Sequence, residues 1–214
     1  MKKVTAIFLA SVMLLGLLTG CAGTMPAETT APTQETTMPT EAPTQPTDAP
    51  TEPVLGTAST SASQILAKIW EQYGDNERFA SYGGTVEHSV SDAPGDLNLS
   101  YTDEIVNKYL LPEEQLGNVE SCASLVHLMN SNIFTAAAFK LKGDVQTRTV
   151  AKALRDNIQK AHWLCGRPEH LLVAEAEGHL LMVFAAKDNM DVFKQKLNAV
   201  YSGATILYDE AVTA

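Results

Sequence analysis

The chain has 214 residues, with 25 acidic against 15 basic side chains and a formal net charge of −10. An acidic chain without a basic cluster excludes nucleic acid as a partner, because the phosphate backbone demands a positive patch. Seven of the ten prolines fall within residues 25–54, and no Lys or Arg occurs from Val4 to Ala67. The first sixty residues therefore build no core, and roughly 150 remain to form one self-sufficient domain.

Met1-Lys2-Lys3 is a basic start, followed by an uncharged apolar stretch over 4–18. That is the size of a signal-peptide core, and it falls short of the ~20 residues of a spanning helix. The stretch ends in Leu18-Thr19-Gly20-Cys21, which resembles a bacterial lipobox. The resemblance implies cleavage before Cys21 and lipidation of its thiol, with two or three acyl chains giving a stable anchor. Residues 1–20 are thus expected to be a lipoprotein signal peptide. Residues 21–60 are expected to be the lipidated cysteine with a disordered stalk, in which 24–53 hold ten Thr, seven Pro and five acids. Such a tract stays disordered or polyproline II-like. Residues 61–214 are expected to be a single extracytoplasmic α+β domain.

Within that domain Ser61 and Gln64 resemble a capping box. Ile65, Leu66, Ile69, Trp70 and Tyr73 follow at helical spacing, and Gly74-Asp75-Asn76 stops the helix. Gly83-Gly84 and residues 92–96 are turn signals around a short strand expected at 85–90. Thr102 is expected to cap a second helix carrying Ile105, Val106 and Tyr109, which Pro112 ends. Residues 119–129 fit a helix or a strand; the strand is preferred, because Asn130-Ser131-Asn132 is turn chemistry and 133–142 alternates, so the two read as a hairpin. Asp144 is expected to cap a helix over 145–164, whose stripe runs Val150, Leu154, Ile158, Ala161, Cys165, with Gly166 just beyond its end. Residues 170–176 and 179–186 form a second hairpin at Glu177-Gly178. A last helix carries Val192, Phe193, Leu197, Val200 and Tyr201, and a strand over 204–208 closes the domain.

From residue 133 the order is strand, helix, strand, strand, helix, strand. That predicts an α+β fold with an antiparallel sheet and helices on one face. It is a split βαβ, or ferredoxin-like, core with an extra N-terminal hairpin strand and N-terminal helices. Residues 179–186 are apolar on both faces, so the second sheet face needs a cover. The helix over 63–73 with Trp70 supplies it at least cost, and the alternative is an interface with a partner.

The candidate ligand-site residues are His162, Cys165 and His170. His162 and Cys165 stand three apart, on one face of the expected helix, and His plus Cys is zinc-type ligation in principle. The plainer expectation is that Cys165 completes the apolar stripe and that His162 sits in a last turn, where the helix dipole favours a cation. His170 and His179 flank the second hairpin and have no need to converge. No metal and no cofactor is therefore expected. Cys122 and Cys165 are expected to be unpaired and buried, since the hairpin carries Cys122 away from the turn end. A buried thiol is inert, which argues against a thiol enzyme using Cys165 and His162. Neither Glu113-Glu114 nor Glu175 with Glu177 shows a reason to act as an acid/base pair. No nucleophile elbow, Ser-x-x-Lys, phosphate loop, His-Glu-x-x-His or EF-hand loop occurs.

Four features together (Leu18–Cys21, the Thr/Pro stalk, and the segments 129–135, Met-Asn-Ser-Asn-Ile-Phe-Thr, and 159–166, Gln-Lys-Ala-His-Trp-Leu-Cys-Gly) resemble a family of uncharacterised lipoproteins. These come from Gram-positive, Firmicutes-type bacteria and carry a domain of unknown function. The resemblance covers most of 61–214. It implies a cell-envelope location, outside the cytoplasm and lipid-anchored to the cell membrane. It supplies no activity and no catalytic residues. The expected function is a non-catalytic binding or interaction module, held to the membrane through lipid on Cys21 and facing a protein or cell-wall partner. The alternatives are a ligand- or metal-binding envelope lipoprotein using His162 and Cys165, and a thiol enzyme.

Overall fold

A computed structural model describes residues 60–213; the expected signal peptide, Cys21 and the stalk lie outside them. Helix α1 (Ala62–Trp70) opens with the expected capping box: Ser61 Oγ accepts from the Gln64 N–H, and the Gln64 side chain accepts from the Ser61 N–H. Ile65, Leu66, Ile69 and Trp70 form its buried stripe. Three short strands follow, β1 (Ser81–Gly83), β2 (Val90–Ser91) and β3 (Gly95–Leu97). The strand expected over 85–90 is instead a 3-10 turn at Val86–His88 leading into β2. Gly83 and Gly95 mark where β1 and β3 share one edge of the next strand. A Cβ on Gly83 would stand 2.2 Å from the Gly95 nitrogen, so no other residue fits.

Helix α2 (Thr102–Lys108) and a 3-10 helix (Glu113–Asn118) lead to the hairpin β4 (Val119–His127) and β5 (Phe134–Leu141). Then come α3 (Thr147–Lys160), the hairpin β6 (His170–Ala176) and β7 (His179–Ala185), α4 (Lys187–Val200) and β8 (Thr205–Ala211). Glu177 (φ 48°) and Gly178 (φ 71°) supply the two left-handed residues of a tight two-residue turn. All pairings are antiparallel and the order is β2-β1-β4-β5-β7-β6-β8, with β3 also on β4. The expected α+β class with an antiparallel sheet holds.

The placement of the helices differs from the expectation of one face. α1 and α4 cover one face, burying Trp70, Met190, Phe193 and Leu197 against Leu125, Phe134 and Val183. α2 and α3 cover the other, burying Ile105, Tyr109, Leu154 and Ile158 against Phe139, Leu171 and Phe184. The cause lies in strand order. In the one-face arrangement the final strand returns to the outer edge of the first core strand. Here β4 occupies that edge of β5, so β8 joins the free edge of β6. β5→α3→β6 and β7→α4→β8 then both step across the sheet in the same direction, from antiparallel starts. Right-handed crossovers under those conditions put their helices on opposite faces. α1 does cover an apolar sheet face as expected, sharing it with α4.

The expected helix over 145–164 starts two residues later and stops at Lys160. Ala161 turns extended (ψ 141°), and Trp163 swings onto the Phe184 ring, centroids 5.0 Å apart at 64°. An edge-to-face pair of this kind contributes about 0.5–1.5 kcal/mol beyond its area burial. Cys165 therefore never joins the apolar stripe. It is exposed, at φ 60°, followed by Gly166 at φ 102°.

Candidate functional site

The two ends of the sheet are built differently. At one end the connections are tight, Glu177-Gly178 above all. At the other, β4 and β5 are joined by residues 128–133, and α3 and β6 by 161–169. Between these two connections and the end of α2 lies an open cleft of about 620 Å³. Its walls include Lys108 from α2, Tyr82 from β1, His127 and Asn130 at the β4 end, and His162, Trp163 and Cys165 beyond α3; Phe184 of β7 also lines it.

Each wall is fixed by identifiable contacts. The Asn132 Nδ2 donates to the Leu164 carbonyl at 2.7 Å and to the Gly166 carbonyl at 2.5 Å, tying the two connections together. The His127 Nδ1 accepts the Met129 and Asn130 N–H groups at 3.2 and 3.3 Å, so its ring proton sits on Nε2. The Thr135 hydroxyl donates to the Ser131 carbonyl at 2.9 Å. Lys108 Nζ lies 3.0 Å from Glu104 Oε1, 4.8 Å from the centre of the Tyr82 ring and 5.0 Å from that of Tyr109. Burial works against its charge, but the Tyr109 phenol and the Glu104 carboxylate outweigh that and hold its pKa above the usual lysine value. The rim is apolar: Leu128 is 56 % exposed, Met129 82 % and Leu164 80 %. Among the described residues the lining contains no Asp or Glu. A second recess of about 470 Å³ adjoins it at Tyr82 and Leu128 and reaches the exposed Val86.

Of the sequence candidates, His162 and Cys165 both line the cleft, His162 exposed at its edge. Cys165 is exposed there rather than buried, which corrects the sequence expectation. His170 does not join them. It opens β6 half-buried, with Nδ1 buried and without a hydrogen-bond partner among the described residues. His179 lies at the opposite end of the sheet, 1 % exposed, its Nδ1 3.0 Å from the Glu177 carbonyl and its Nε2 without a partner among the described residues. Burial lowers its pKa. Among the described residues no group of three or more His, Cys, Asp or Glu is arranged to hold a metal ion. Cys122 is buried on β4 and not bonded to Cys165; its Sγ lies 3.8 Å from the Leu97 carbonyl, and burial, with Asp96 adding, pushes its thiol up to about 12.

Sequence reasoning missed Lys108, Tyr82, His127 and Asn132. Nothing local marks them; they meet only because β1, α2 and the two connections converge at one sheet end. The segments 129–135 and 159–166, noted above as family-like, supply the two connections that Asn132 joins.

The chain enters the domain at the other end. Ile65, near the start of α1, accepts at its carbonyl from the Tyr201 hydroxyl (3.5 Å), beyond the end of α4. The end of α1 lies toward the cleft, where Trp70 contacts Phe79 and Phe79 stacks on His127 at 5.1 Å. No protein-family model, no curated protein and no solved structure matches this chain.

Proposed function

We propose that the chain is a membrane-anchored extracytoplasmic lipoprotein whose folded domain is a non-catalytic binding module. The observation that carries the binding role is the loop-end cleft with its apolar rim of Leu128, Met129 and Leu164. Loops held by a rigid sheet are where recognition is usually placed, and clustered exposed apolar side chains mark interaction sites. The anchoring role is supported by the basic start, the apolar stretch 4–18 and Leu18–Cys21. Ser61, the N-cap of α1, lies at the sheet end remote from the cleft.

Fractionation of a Gram-positive host tests the anchoring. The natural chain should partition with membranes, and Cys21→Ser should release it to the medium with its domain folded. A protein found in the cytoplasm in both forms refutes the reading.

A second reading is favoured by the presence of both His162 and Cys165 at the cleft. In that reading they bind a metal or ligand, or Cys165 serves as a reactive thiol. Alkylation of Cys165 much faster than a free thiol, lost in His162→Gln, would support it. Ordinary alkylation would leave the binding module.

A further inference from the structure

Resting on the binding-module reading, we infer that the loop-end cleft binds a small anionic amphiphile, an acidic head on an apolar body, taken up as a free molecule.

The chain carries 25 acidic side chains, yet none lines this cleft among the described residues. In an acidic protein such a gap lessens the like-charge repulsion an approaching anion meets, with the Glu104 carboxylate beside Lys108 remaining. Two lining residues, Lys108 and His127, carry N–H donors. Lys108 has three N–H bonds; the Glu104 carboxylate accepts one and the Tyr109 hydroxyl is a second partner, which leaves one for a ligand. The Glu104 contact partly neutralises the ammonium and also fixes its position between two tyrosine rings. His127 holds its ring proton on Nε2, because Nδ1 already accepts two backbone N–H groups.

The body of the ligand follows from the rim. Met129 and Leu164 project from separate connections that Asn132 ties together, and both are four-fifths exposed. A Met and a Leu held beside a cleft give an adaptable apolar surface for a chain or ring. The volume of about 620 Å³ suits a ligand of small-molecule size.

The test uses the whole mature chain from residue 21 with Cys21→Ser, followed by backbone amide NMR. Dodecanoate, below its micelle concentration, is compared with dodecyltrimethylammonium, which has the same tail and the opposite charge. Dodecanoate should perturb residues 128–132 and 161–166 saturably. It should bind at least about tenfold tighter than the cation, the effect of one charge-assisted hydrogen bond. Lys108→Met should remove that preference. Met129→Ser with Leu164→Ser, both exposed and tolerant of change, should weaken both amphiphiles. Equal binding of the two head groups at the cleft, shifts confined to other surfaces, or no saturable shift each overturns the inference. The underlying reading fails separately: it is lost if the cell fractionation places the chain in the cytoplasm, whatever the amphiphiles do.

Discussion

The turn end and the loop end of the same sheet solve one problem in opposite ways. At the turn end β6 passes into β7 through two left-handed residues, and His179 beside the turn is buried. At the loop end two of the three connections run to six and nine residues, while β7 passes into α4 through Ala186 alone; Met129 and Leu164 stand exposed, and Trp163 packs on Phe184 beyond the end of α3. Both ends share a core packed on two faces, so the sheet tolerates long connections without losing its register. The difference teaches that exposed apolar side chains and long connections gather where strand pairing no longer constrains the chain.

Several changes would break or sharpen that contrast. Phe184→Ala removes the core ring on which Trp163 packs edge-to-face, and should cost about 3–5 kcal/mol in urea denaturation. A cost under about 1 kcal/mol would mean that the loop-end packing is nominal. Trp163→Ala removes a half-buried indole and should cost about 2 kcal/mol. Its hydrogen exchange should rise in 161–169 and not at the Glu177-Gly178 turn; a rise at both ends would erase the distinction. Asn132→Ala cuts the two bonds between the connections and should cost about 1–2 kcal/mol. It should also scatter the cleft amides in NMR while the β6–β7 pairing stays intact.

The turn end has its own, smaller signature in pH. Burial lowers the pKa of His179 in the folded chain, so the unfolded chain binds its proton first as pH falls. Stability should therefore hold above the ordinary histidine value of ~6.5 and decline as pH drops below it, levelling once the folded pKa is passed. His179→Gln should flatten that part of the stability–pH curve; an unchanged slope would assign it to another group. The smallest effect is Cys165→Gly. Glycine adopts φ 60° without the side-chain clash, so the change should alter stability by less than about 1 kcal/mol in thermal unfolding.

Much of the architecture was legible in the sequence, because periodicity reports burial directly. The stripe of α1, the capping box at Ser61 and the turn at Glu177-Gly178 all follow from residue spacing. The β4–β5 hairpin follows from the turn residues Asn130-Ser131-Asn132 and the alternation over 133–142, although 119–129 alone also fits a helix. The two-faced helix arrangement was not legible, since it depends on which edge of β5 remained free, a long-range fact. The stop of α3 at Lys160 was hidden for the same reason: Val150, Leu154 and Ile158 set a stripe that Ala161 and Cys165 extend on paper, and only Phe184, remote in sequence, draws Trp163 away. That misplaced Cys165 in the core. His162 and Cys165 were found as candidates, but through the wrong geometry, and Lys108 and His127 carried no local signal at all.

The account turns on an open loop end, displayed outside the cell, on a domain whose interior is closed. Labelling intact cells with a membrane-impermeant maleimide, followed by mass spectrometry, tests this most directly. The account predicts one adduct on the folded chain, at the exposed Cys165, with Cys122 labelled only after denaturation. Labelling of Cys165 that requires cell lysis, or equal labelling of Cys122 in the native protein, would contradict it.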